Sequence, residues 1–318
     1  MSSCTLTPYE PEHAARSLFL EARGLRHHLW VWGDLACATE QQPVLVLAHG
    51  WMDVGASFQF MVDELRQWPQ FSQRPIVALD WRGFGQTDFP QGDRYFSADY
   101  LGDLDALLDQ LSPQWPVDLV GHSMGGNVTT IYVGTRPERI RRLVNLEGFG
   151  MPATQPQEAP GRYVKWLNEL KKPARMKDYA SLQEVAGRLQ ATNPRLSPDF
   201  ALWLAQHWAH EEGGRWVINA DPAHKRSQPL LYQAGEVLEF LKRITMPMLF
   251  VEGEQTLYFN FYQGRYTREE FVQRMALVPQ LRTETLRDAG HMLHHDQPKA
   301  LAALLADFLG PERGALRP

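Results

Sequence analysis

Four short strand-like segments recur through the first half of the chain: Val44–Ala48, a continuous apolar run, then Pro75–Leu79, Val117–Val120 and Ile140–Leu146. A run without polar alternation is the pattern of a strand covered on both faces. Between the runs, apolar residues fall at helical spacing. Phe58–Trp68 is one such stretch, with Ser57 as its expected cap, and a segment from Ser97 to about Leu111 and Asn127–Gly134 are the others. This strand–helix alternation predicts an α/β architecture, a mostly parallel sheet flanked by helices on right-handed crossovers. Upstream, Ser17–Trp32 alternates about Gly24 and predicts a β-hairpin, while the residues before about Glu12 read as loose.

The character changes after Gly150. Pro152, Pro156 and Pro160 mark a linker, and the stretch that follows has helical spacing in Tyr163–Leu170, Leu182–Leu189 and Phe200–His210. Sheet-like sequence resumes at Met248–Val251, followed by a helix near Arg268–Ala276, a strand near Arg282–Leu286 and a last amphipathic helix over Lys299–Leu309. The expected organisation is a core of 1–150 and 244–318 with an inserted, mainly helical cap over 151–243. With 318 residues, 44% of them hydrophobic, there is material for one large core and an insertion.

The third strand-like segment leads straight into Gly121-His122-Ser123-Met124-Gly125, and a helix follows. Strand, Gly-x-Ser-x-Gly and helix together predict a sharp turn that lifts the central hydroxyl to the end of a sheet and the start of a helix. Ser123 is therefore the candidate nucleophile. A serine hydroxyl needs a base, an acid to orient that base, and donors for an oxyanion. His291, in Asp288-Ala289-Gly290-His291-Met292, lies after the last strand and is the candidate base; the pairs His27-His28 and His294-His295 carry no such signal. The backbone N–H groups of Met124 and Trp51, the latter after the first buried strand in His49-Gly50-Trp51, are the candidate oxyanion donors. His49 reads as a buried loop-fixing residue.

These turns, together with Asp80-Trp81-Arg82-Gly83-Phe84-Gly85, resemble the α/β-hydrolase superfamily in order and spacing over 17–150 and 244–310. The cap is most similar to those of serum hydrolase-like esterases and of relatives of haloalkane dehalogenases and epoxide hydrolases. The resemblance implies an α/β-hydrolase fold, a Ser-His-acid triad and a structural role for 80–85. It also implies an acid at the end of Gly253-Glu254-Gln255-Thr256, where this chain has Thr256. Glu147, ending the strand after the elbow helix, resembles the acid position of some haloalkane dehalogenases and is the preferred substitute. Glu254 and Asp288 are its rivals. Dehalogenase and epoxide hydrolase chemistry is disfavoured because those relatives use an aspartate where Ser123 stands.

The expected activity is hydrolysis of a small carboxylic ester through an acyl-enzyme. Carbon–carbon bond hydrolysis, lactonase or perhydrolase chemistry on the same triad, or a weakly catalytic binding protein, are the alternatives. The net charge of −5 and the lack of a long basic block argue against nucleic acid. No nucleotide-binding motif implies a cofactor. No metal is expected: His207 and His210, three apart on an expected cap helix, lack a third ligand, and Cys4 and Cys37 have no metal spacing. Neither a membrane partner nor a span is expected, and the expected location is the cytoplasm. Trp166, Trp203, Trp208 and Trp216 are candidates for core or for pocket lining.

Overall fold

The computed structural model describes residues 8–92 and 95–311; Cys4 lies outside them. Its centre is an eight-stranded sheet. The hairpin is β1 (Arg16–Ala22) and β2 (Leu25–Trp32), followed by β3 (Leu45–Ala48), α1 (Gln59–Arg66), β4 (Ile76–Leu79), α2 (Ser97–Leu111), β5 (Val117–His122), α3 (Met124–Thr135) and β6 (Ile140–Leu146). Between β6 and the next strand of this sheet come α4 (Ala159–Leu170), β7 (Asp178–Tyr179), α5 (Leu182–Thr192), α6 (Pro198–Trp208), β8 (Ala209–Glu212), β9 (Arg215–Ile218) and α7 (Ala234–Lys242). The chain ends with β10 (Met248–Gly253), α8 (Arg268–Met275), β11 (Leu281–Leu286), α9 (Leu293–Asp296) and α10 (Pro298–Leu309).

The strand order is β1-β2-β4-β3-β5-β6-β10-β11. Only β2 runs against its neighbours; the others pair in parallel. The continuous apolar runs have a simple cause. Side chains alternate across a strand, so Leu45 and Leu47 join a core with Met61, Leu65, Leu301 and Leu305 on one face. Val46 and Ala48 join a second core with Leu104, Leu108 and Val133 on the other. Both faces are roofed by helices, and every residue of β3, β4 and β5 is buried.

Three local expectations need correction. Ser57 does not cap α1: it lies in a 3-10 turn over Gly55–Phe58, and its hydroxyl donates to Asp53 at 2.8 Å. The start of the described chain is anchored, because the Tyr9 hydroxyl donates to Asp63 and its ring packs edge-on against Phe60, Phe200 and Trp203. And the expected helix Phe200–His210 stops at Trp208, because Ala209 begins β8 and β7, β9 and β8 form an antiparallel sheet. Its hairpin turns on Gly213 and Gly214, both at positive φ (57° and 76°), as a two-residue turn requires. The Gly-Gly pair was a usable signal. The flanking Ala-His-Glu-Glu hid it, because only Ala209 of β8 is buried and no alternation results. In consequence His207 lies in the last turn of α6 while His210 sits in β8 and bonds Asn219 at 2.6 Å, so the two do not share a helix face.

The 151–243 segment rests on loops at the carboxyl ends of the strands. The Trp208 indole donates to the Met52 carbonyl at 3.1 Å, Gly85 N–H donates to Asn219 at 2.8 Å, and Asn193 donates to Asp296 at 2.7 Å. Trp203 belongs to the core, and Trp166, Trp208 and Trp216 are half-buried.

Candidate active site

Neighbouring strands deliver the key side chains in order. At the end of β5, Ser123 has φ 51° and ψ −114°, a conformation that non-glycine residues rarely hold. Its N–H is tied to the Leu146 carbonyl of β6 at 2.8 Å. Close approach is what the glycines permit: a Cβ on Gly125 would lie 2.2 Å from the Ala48 carbonyl, and one on Gly121 would lie 2.4 Å from the Thr129 hydroxyl. The first turn of α3 is thus pressed onto the end of β3. Gly50 lies so close to the elbow that its Cβ would sit 3.2 Å from that of Ser123. This brings the loop that carries Trp51 beside Ser123, while the Trp51 indole is exposed. Met124 is the first residue of α3, where an N–H has no carbonyl acceptor in its own helix.

One strand further, Glu147 follows β6. It is fully buried and at positive φ (58°), its N–H held by the Val251 carbonyl of β10 at 3.0 Å. Asn145 secures this turn by accepting from Gly148 N–H at 2.7 Å. The Glu147 carboxylate accepts from Gly253 N–H at 2.7 Å and from the Thr256 hydroxyl at 2.7 Å. Its Oε2 lies 3.0 Å from His291 Nδ1, and His291 Nε2 lies 3.0 Å from Ser123 Oγ. Ser123, His291 and Glu147 therefore form one continuous hydrogen-bonded array. Thr256 has a part in it that sequence reasoning missed, since its hydroxyl donates to the Glu147 carboxylate. The rivals lie elsewhere: Glu254 is exposed and accepts from Asp288 N–H at 3.2 Å, and Asp288 is exposed at a left-handed turn.

Behind the array lies a second missed group. His122, buried, bonds the His291 carbonyl through Nε2 at 2.8 Å, so Nε2 must carry the hydrogen and Nδ1 is left without a partner. Beside it, Ser57 bridges Asp53 and His294 at 2.8 and 3.2 Å. Asp53, His122 and His294 offer ligand-type atoms within 4.8 Å of one another. Zinc would need each about 2.0–2.2 Å from one centre, and the Ser57 hydroxyl already joins two of them. The group fits a hydrogen-bonded support for the His291 loop better than a metal cage. His49 likewise accepts from Trp81 N–H and holds its own loop through the Gly50 carbonyl.

The buried imidazoles make stability depend on pH. Burial, with the neighbouring His294 adding to it, lowers the His295 pKa to about 3, and burial pushes His122 well below its ordinary value. Both return to about 6.5 in an unfolded chain. Below that pH the unfolded state binds protons that the native state refuses, so stability is lost as pH falls from 6.5 toward the native values. Each such group contributes up to about 1.4 kcal/mol per pH unit in this window. The unfolding free energy should fall steadily between pH 6.5 and 4, and His295→Phe should flatten the slope by about that amount. An unchanged slope in urea titrations would show that His295 takes up no proton on unfolding.

With this geometry in place, comparison with known proteins is informative. The profile of the α/β hydrolase fold matches residues 43–298. The chain belongs to the α/β-hydrolase family. A serine hydrolase-like protein of Danio rerio is 25% identical over 297 residues, spanning 89% of this chain and 84% of its own. An sn-1-specific diacylglycerol lipase, ABHD11, of Xenopus laevis is 25% identical over 277 residues, spanning 87% and 82%. Among solved structures, the thioesterase domain from the curacin biosynthetic pathway superposes with a TM-score of 0.79 at 26% identity, covering 92% of this α/β-hydrolase and 99% of that domain. The protein is a hydrolase of this fold, and among the described residues no helix is long and apolar enough to cross a membrane.

Proposed function

We propose that this α/β-hydrolase cleaves carboxylic esters through an acyl-enzyme, with Ser123, His291 and Glu147 as its triad and 151–243 as a cap over the site. The observation that carries the reading is the unbroken pair of 3.0 Å contacts from Ser123 through His291 to Glu147. Ser123 Oγ attacks the ester carbonyl carbon while His291 Nε2 takes its proton. Glu147 holds the Nδ1–H tautomer and stabilises the imidazolium that forms. The N–H groups of Trp51 and Met124 receive the oxyanion. As the intermediate collapses, the C–O bond to the alcohol breaks and His291 returns the proton to it. Water then attacks the acyl-enzyme by the same route, releasing the acid and restoring Ser123. No cofactor enters these steps, and the substrate is a small ester.

A short-chain nitrophenyl ester should show a burst of one nitrophenol per protein, and a fluorophosphonate should label Ser123 alone, mapped by peptide mass spectrometry. Labelling at another residue, or none together with no turnover, would overturn the reading in favour of a binding role.

A further inference from the structure

Helix α4 is built the wrong way round for a helix packed on a protein. None of its residues is buried. Its polar side faces the molecule: Arg162 donates to the Gln228 carbonyl at 2.8 Å, and the Glu169 carboxylate accepts from Ser227 N–H at 2.6 Å and from its hydroxyl at 3.1 Å. Its apolar side faces water. Tyr163, Val164, Leu167 and Leu170 stand at i, i+1, i+4 and i+7, one stripe of the helix, and are 37–58% exposed. The apolar surface continues past Arg162, which borders an open cleft of about 380 Å³ with Met151, Tyr232, Phe261 and Tyr262. Phe261 is 81% exposed and Met151 43%.

Charge says what this surface meets. Residues 162–177 carry Arg162, Lys165, Lys171, Lys172, Arg175 and Lys177 against Glu169 and no other acid, in a chain of net charge −5. A second copy docking by a two-fold axis would set these cations against their own kind. A polyanion such as RNA would leave the leucine and valine stripe uncovered. An apolar stripe edged by lysines, with Tyr and Trp on the same helix, is the makeup of a segment that lies in a membrane interface. We infer that the outward face of α4, extended by Met151 and Phe261, docks on the surface of an anionic phospholipid bilayer. This departs from the sequence expectation of no membrane partner, which rested on the lack of a span. Docking here would set the cleft next to the site, because the Tyr258 hydroxyl bonds Tyr262 at 3.1 Å and the Gly150 carbonyl while its ring lies 6.3 Å from that of His291. It does not rest on ester hydrolysis, and Ser123→Ala protein should bind equally well.

The test is co-sedimentation of the full chain with vesicles of phosphatidylcholine alone and of phosphatidylcholine mixed with phosphatidylglycerol. Binding to the mixed vesicles, weakened by added salt, is expected. Lys165→Gln/Lys171→Gln/Lys172→Gln should lower the partition coefficient by about a hundredfold, roughly fivefold per charge removed. Val164→Asp/Leu167→Asp should abolish binding while leaving turnover of a soluble nitrophenyl ester unchanged. No binding to the mixed vesicles, equal binding to both kinds, or indifference to both sets of substitutions would overturn the proposal. So would a dimer in sedimentation velocity that Val164→Asp/Leu167→Asp dissociates, which would assign the face to a second copy.

Discussion

Ser123→Ala should lower kcat for a nitrophenyl ester by about six orders of magnitude, to a small residue above the uncatalysed rate. The size follows from how such an array works. In the proposed mechanism Ser123, His291 and Glu147 act as one unit, so removing the attacking atom forfeits the contribution of all three, a loss of about 10⁶ in comparable serine hydrolases. What survives is the oxyanion pocket, because Trp51 and Met124 contribute backbone N–H groups that a side-chain change at 123 leaves in place. KM should therefore move little, and the fold should persist, since alanine needs no more room at the elbow than serine. Steady-state kinetics on both proteins checks this. A variant within tenfold of the wild type would place the nucleophile elsewhere and end the acyl-enzyme reading at this elbow.

Glu147→Gln should lower kcat by about four orders of magnitude, as the loss of the orienting carboxylate does in a serine protease. The amide keeps the shape of the side chain and can still accept from Gly253 N–H. It cannot accept from both the Thr256 hydroxyl and His291 Nδ1 as Glu147 Oε2 does. Turning its NH₂ toward His291 forces the hydrogen onto Nε2, and an imidazole protonated there cannot take the serine proton. Glu254→Gln should change kcat less than twofold or so, because Glu254 contacts Asp288 N–H at the surface and not the base. Thr256 makes the sharper test. In the wild type, Thr256→Asp would set a second carboxylate against Glu147, and one of the two would have to take up a proton, so activity should fall. In the Glu147→Gln background the same Thr256→Asp change supplies the missing charge and should recover roughly thirty- to hundredfold. A substitution that harms one background and rescues the other is not the behaviour of a merely structural threonine. Additive losses would sink the idea that positions 147 and 256 serve one histidine.

The pattern in the chain was readable where burial is two-sided. Strands covered on both faces are mostly apolar, so β3 and β4, apolar throughout, announce themselves without an alignment, and β5, β6 and β10 do so through the apolar residues around Asp118, Arg141, Arg142, Asn145 and Glu252. Ser123 is legible for a related reason: only small residues fit where α3 meets the end of β3, and the glycines that make this room are visible in the sequence. The small β7-β9-β8 sheet was not legible, because β8 is exposed along one side and carries charged residues there. The outward apolar stripe of α4 was legible as a helix but not as a surface, since periodicity shows that a helix has two faces and not which one points inward.

Sequence alone determined the architecture and singled out Ser123 and His291, because a strand–glycine–serine–glycine–helix turn and a histidine after the last strand are local constraints on backbone room and chain order. Only the tertiary structure decided which groups surround His291. Glu147 and Thr256 are 109 residues apart in the chain and His122 and His291 are 169, and they meet because β5, β6 and β10 lie side by side with the His291 turn packed against the last of them. A Cβ on Gly253 would lie 2.4 Å from the Gly290 carbonyl, so that turn is held against the end of β10 with no slack. Local patterns fix which side chains a segment can present; which of them share a proton depends on strand order and on contacts between distant parts of the chain.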